Sequence, residues 1–130
     1  MRKRKFFYLT SIVILLSGFI VYNYIYKSHR NIAQEKAVFA LNAVDFIKEF
    51  NDNIEMSVKK YLDKTIELQG EITEVEQGNF TLNNVIICYT DSITLTQIQK
   101  GLEVTVKGRS IGYDELLEFI KFDQITITNN

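Results

Sequence analysis

One cysteine and one histidine stand among 130 residues that contain no proline and no tryptophan. The lone Cys88 excludes an intrachain disulfide, so the cysteine count says little about the redox compartment. It lies inside NVIICYT, an apolar strand-like run, where a free cysteine usually packs as a small core residue. A catalytic thiol would need a base beside it. The one histidine, His29, sits next to a long apolar segment instead, which removes a Cys–His pair. Phosphate-binding loops, metal-ligand spacings and nucleophile–base motifs are missing as well. Nothing in the sequence calls for an enzyme, a metal or a cofactor.

Charge is missing in two stretches, and both are informative. Residues 6–26 carry no charged side chain, and the first thirty residues carry no acid. All sixteen acidic side chains therefore lie after residue 30, together with nine of the fifteen basic ones. The near-neutral total of −1 thus hides a basic start and a remainder of net charge −7. A surface of that sign repels phosphate backbones.

The uncharged run, Phe6 to Tyr26, would span roughly 31 Å as a helix, close to the thickness of a bilayer's hydrocarbon core. Its exit, VYNYIYKSHR, has bulky tyrosines where a cleavable leader needs small residues, and no lipid-accepting cysteine comes after it. Aromatic residues at both ends (Phe6, Phe7, Tyr8; Tyr22, Tyr24, Tyr26) match the interfacial belts of a spanning helix. Length and flanks favour a retained anchor over a cleaved leader or a buried helix. Arg2, Lys3, Arg4 and Lys5, against Lys27 and Arg30, favour a cytoplasmic N-terminus. The rest of the chain would then lie outside the cytoplasm, in the periplasm if the cell has two membranes.

From 31 to 63 the apolar residues recur at three- and four-residue steps, including Ala33, Ala37, Ala40, Val44, Ile47, Ile54, Val58 and Tyr61. This predicts a helical linker, interrupted at EFNDNIE, where Asn51 or Asp52 would cap a second helix. The linker either packs on the C-terminal half of the chain or rises as a partner-binding helix; sustained heptads for a coiled coil are missing. After Asp63 the period becomes two. TIELQGEIT places Ile66, Leu68, Gly70 and Ile72 on one face and Glu67, Gln69, Glu71 and Thr73 on the other. FTL and VIICYT flank an Asn–Asn turn, DSITLTQIQKG is a connector, and LEVTVKGRS and LLEFIKFDQITIT are two further strands. The phase of the last changes between Phe122 and Ile125, which predicts a bulge near Asp123. Five short strands with a connector between the third and fourth is the OB-fold order. The reading is α+β: a basic tail (1–5), a transmembrane helix (6–26), a helical linker (31–63) and a five-stranded OB barrel (64–130).

The residues from 46 to 128 also resemble the tRNA_anti-like family of bacterial membrane-attached and exported proteins. The shared features are the helix ending at Tyr61 and Lys64, the glycine-centred strand Leu68–Ile72, the Cys88 strand end, and Gly101 to Arg109 followed by Gly112 and Tyr113. Many members carry a second cysteine in the last strand, which FDQITI lacks. The resemblance implies an OB fold akin to anticodon-binding domains, and carries no catalytic residues.

A binding surface is the remaining question. Lys107 and Arg109, two apart on one strand, point the same way. With Tyr89, Phe80 and Tyr113 they form the candidate ligand patch, a stacking-plus-charge arrangement of the oligonucleotide kind. Two bases do not make a basic groove. The expectation is therefore an envelope binding module with a protein or glycan partner. An oligosaccharide or small-ligand binder and a single-stranded nucleic-acid binder are the alternatives. Alkaline phosphatase fused after Asn130 should be active; an inactive phosphatase with an active cytoplasmic reporter at the same point would reverse the topology.

Overall fold

A computed structural model describes residues 2–26 and 30–128, which divide into two compact units after Arg30. In the first, Arg2–Ile25 forms one 24-residue helix, α1. Its most apolar stretch has a mean hydropathy of 1.8, and by length and composition the helix is a candidate membrane span. The basic tail is thus the first turn of the same helix. Lys27 and His29 lie outside the described residues.

The second unit is built on a closed barrel. Its strands are β2 (Thr65–Glu76), β3 (Asn79–Leu82), β4 (Ile86–Tyr89), β5 (Glu103–Asp114) and β6 (Phe119–Ile127). Hydrogen bonding runs β2-β3-β4-β6-β5 and closes back from β5 to β2, with β4 and β6 parallel. The five-stranded OB barrel expected from the period change is present. Alternation on β2 is also as read: Ile66, Leu68, Gly70 and Ile72 are buried, and Gln69 and Glu71 are exposed. The β5–β6 register gains one residue on β6 between Asp123 and Thr126, where Gln124 takes a φ of 51°. That is the bulge near Asp123. Asn83 and Asn84 both adopt left-handed backbone in the β3–β4 turn, a conformation asparagine tolerates well.

The helical reading of 31–63 needs correction at its start. Residues Phe39–Asn42 form a strand, β1, parallel to β2, in register from Phe39 opposite Ile66 to Asn42 opposite Gln69. Ile32 is fully buried, whereas Ala33 and Ala40, expected on the helical stripe, are exposed. The cause is a vacancy in the sheet. β3 pairs with β2 only from Ile72 onward, so the first half of β2 has one open side that β1 fills. Tertiary pairing of this kind overrides a local helical period. Helix then runs from Ala43 to Asp52 (α2) and from Ile54 to Tyr61 (α3). The break falls within EFNDNIE, but Asn53 is the cap, its Oδ1 accepting from the Met56 N–H at 3.0 Å. Asn42 caps α2 in the same way.

Helices α2 and α3 pack on the barrel. Phe46 of α2 lies between Tyr61 and Phe122, at ring separations of 4.8 and 5.7 Å, in edge-on contacts that aromatic pairs favour. Glu49 ties the helices together: its carboxylate accepts from Lys60 Nζ at 2.9 Å and from the Tyr61 hydroxyl at 2.7 Å. Those two hydrogen bonds hold the Glu49 carboxyl below its ordinary pKa.

Gly70 marks where β2 passes beneath α2. A Cβ there would stand 2.5 Å from Asn83 Oδ1 and 2.9 Å from the Ala43 Cβ. Gly70→Ala should therefore cost about 1–3 kcal/mol through overpacking. At roughly 4–8 °C per kcal/mol for a domain of this size, thermal unfolding would read a clear drop in Tm. An unchanged Tm would mean that α2 does not rest on this strand.

Candidate binding surface

Lys107 and Arg109 do share the outer side of β5, and both are engaged within the fold. Lys107 Nζ donates to the Ala33 carbonyl at 2.7 Å and to the Glu35 carbonyl at 3.0 Å. Glu35 in turn accepts from the Thr65 hydroxyl at 2.6 Å. Together with buried Ile32, these bonds fasten the segment from 31 to 35 across the start of β2 and the middle of β5. Arg109 grips Asp123 with two parallel bonds, Nε to Oδ1 at 2.9 Å and Nη2 to Oδ2 at 2.6 Å. Its Nη1 also lies 3.7 Å from Asp63 Oδ1. Such fork-to-carboxylate pairing is the strongest form of charged hydrogen bond.

The three aromatic candidates are dispersed. Phe80 is fully buried, opposite Cys88 across the β3–β4 ladder, so it cannot stack on a ligand. This corrects its place in the patch; a four-residue strand offers too few alternations to fix which way one ring points. Tyr89, opposite Asn79, is 39% exposed and does reach the surface. Tyr113 is half-buried against Phe50, their rings 6.1 Å apart. It borders a cavity of about 270 Å³ shared with Phe50, Ile54, Val85, Glu118 and Ile120. Burial and the nearby carboxylates of Glu118, Glu115 and Asp114 push its phenol pKa up. The five residues thus occupy the strapped side of β5, the core, the end of β4 and the foot of α2.

Other surface features carry no motif. Lys121 forms an ion pair with Asp114 at 3.0 Å, one strand over from Ile87. Leu116 and Leu117, at the β5–β6 tip, are 94% and 63% exposed. A groove of about 350 Å³ runs over β1, β2 and β5, floored by Ala40, Asn42, Glu67, Gln69 and Thr105. It could not be read from the sequence because β1 itself was hidden in the helical period. Burial pushes the Cys88 thiol up, so it is no nucleophile. No cluster of three or more His, Cys, Asp or Glu suited to a metal ion occurs among the described residues.

If Arg109 is a structural tie, Arg109→Ala should destabilise the fold. It leaves Asp123, 26% exposed at its side chain, without its bidentate partner, a loss of about 1–3 kcal/mol. Thermal melts of the two proteins decide it: a free ligand-binding arginine could be removed with no change in Tm.

A structure of the same fold is known. The crystal structure of a candidate nucleic acid-binding lipoprotein from Klebsiella pneumoniae superposes with a TM-score of 0.58 at 12% sequence identity, over 69% of this chain and 91% of that one. No curated protein matches the sequence. The tRNA_anti-like family model matches residues 1–120. With that match over most of its length, and the OB barrel that it implies, the chain belongs to the tRNA_anti-like family.

Proposed function

We propose that the chain is a membrane-anchored binding module of the cell envelope, without catalytic activity, that holds its OB barrel outside the cytoplasm and recognises a protein segment. The observation that carries this reading is the use of its cations. The two neighbouring bases that could form a phosphate-binding patch, Lys107 and Arg109, are bonded to main-chain carbonyls and to Asp123. After residue 30 the chain is predominantly acidic, nine bases, Lys107 and Arg109 among them, against sixteen acids. Polyanions are repelled by such a surface, and neutral or cationic partners are not. The basic first turn of α1 supports the inside-to-outside orientation. A glycan partner fits the same electrostatics, but the one well-exposed aromatic among the five candidates, Tyr89, offers a sugar ring little to stack on.

A second reading, single-stranded nucleic-acid binding, is favoured by the fold and by the description of the Klebsiella lipoprotein. At 12% identity that likeness concerns fold, and fold alone does not carry a ligand. The two readings separate in one measurement. Fluorescence anisotropy of a labelled single-stranded 20-mer, titrated with the full chain in nanodiscs at about 0.15 M salt, should show no saturable binding. Two phosphate contacts would contribute a salt slope of only about 1.4. Saturable binding tighter than about 1 µM, with a salt slope well above that of two phosphate contacts, would establish the nucleic-acid reading instead.

A further inference from the structure

We propose that the cavity between the α2–α3 junction and the end of the barrel is a socket for one long basic side chain, lysine or arginine, of the bound segment. The inference rests on the binding-module reading and names the chemistry by which the segment is held.

The cavity measures about 270 Å³. Phe50 in the last turn of α2 and Ile54 at the start of α3 line it from the helices. Val85 of the β3–β4 turn and Ile120 of β6 line it from the barrel, and Tyr113 of β5 adds an aromatic ring. Ile54 is 39% exposed, so the space opens to solvent. Among the described residues that line it, Glu118, just before β6, alone is charged. Sites that enclose a drug-sized molecule hold roughly 300–1,000 Å³. This one is smaller and suits a single side chain.

The charge at its rim is uncompensated. Glu118 makes no hydrogen bond or ion pair among the described residues. Its neighbour Asp114 differs: it is paired with Lys121 at 3.0 Å, and its Oδ1 accepts from the Leu116 and Leu117 N–H groups. The cation of this hairpin is therefore already engaged. Burial and then the carboxylates of Glu118, Glu115 and Asp114 raise the Tyr113 phenol pKa, so the ring stands in a negative potential. A cation is favoured beside such a ring and carboxylate. Glu118 also takes a φ of 57°, left-handed backbone that glycine or asparagine adopts more easily. A glutamate kept in that conformation points to a use for its side chain.

Lysine and arginine match both halves of the site. Their hydrocarbon stems lie along apolar walls while the charged head stays at the wet rim, here beside Glu118. An anion is repelled by that carboxylate, and a purely apolar group leaves it without a partner. Leu116 and Leu117, next to Glu118 in the hairpin, are 94% and 63% exposed. They offer apolar surface to the residues that flank the basic one in a segment, a contact that a free amine does not need.

The test uses the full chain in zwitterionic nanodiscs and reads the methyl NMR signals of Ile54, Val85 and Ile120. The probe is capped Ala-Lys-Ala. Capped Ala-norleucine-Ala, which has the stem without the charge, and n-butylammonium are the comparisons. The lysine peptide should shift all three methyl signals in a saturable way, and the norleucine peptide should bind about threefold more weakly. Glu118→Gln, at an exposed residue, should lower the affinity for the lysine peptide about threefold. It should leave the norleucine affinity and the Tm unchanged. No shift with any probe, or equal affinity for the two peptides, would overturn the proposal. Lysine binding indifferent to Glu118→Gln would overturn it as well. Tighter binding of n-butylammonium than of the lysine peptide would overturn it in favour of a free amine. None of these results touches the topology reporter or the nucleic-acid titration, so the wider reading stands or falls separately.

Discussion

One strand carries the architecture of the second unit. β2 is twelve residues long, and each half has a different neighbour on the same side. Its first half pairs with β1 and its second with β3, while β5 runs along the opposite side of the first half. The handover falls between Gln69 and Ile72, where Gly70 leaves room for Asn83 and for the start of α2. Barrel closure, the added parallel strand and the seating of the helices all depend on that short stretch. Without the glycine, the β3–β4 turn and α2 would compete for the volume that a side chain takes.

Electrostatics follows from closure in the same way. The Arg109–Asp123 pair spans the β5–β6 ladder at its register shift, where regular backbone pairing is interrupted. The side chains take over the cross-strand link at the point where the main chain gives it up. Lys107 makes the corresponding link on the other side of β5, to the chain that leads into β1. Cations that the sequence alone would assign to a ligand thus serve the fold. The rest of the chain after residue 30 keeps its excess of acidic side chains, sixteen against nine basic ones.

Much of this is legible in the sequence, and the exceptions have physical reasons. The uncharged run, the switch from helical to alternating period at Asp63, the β2 faces and the bulge near Asp123 are all local patterns. Their signal lies within a few residues of the feature. β1 is different: VFAL alternates and also fits a three-to-four spacing, and what decides is an open stretch of β2 some 27 positions away in the paired register. The candidate patch fails for a related reason. That Lys107 and Arg109 point together is readable from β5 alone, but their acceptors at Ala33, Glu35 and Asp123 come from other elements. Phe80 escapes a sequence reading because NFTL is buried at three consecutive positions, which erases the alternation.

The grip of Lys107 on the strap has a consequence for how the sequence can drift. Its two acceptors are peptide carbonyls, a group every residue supplies, so the contact is blind to which side chains stand at Ala33 and at the carbonyl of Glu35. Substitutions at Ala33 can accumulate without loosening it, as long as Ile32 stays apolar, Glu35 keeps its bond to the Thr65 hydroxyl and the backbone keeps its path. The single lysine carries the specificity for both ends of the contact. Among relatives of this chain, the residue at position 33 should therefore vary freely while the position of the lysine does not.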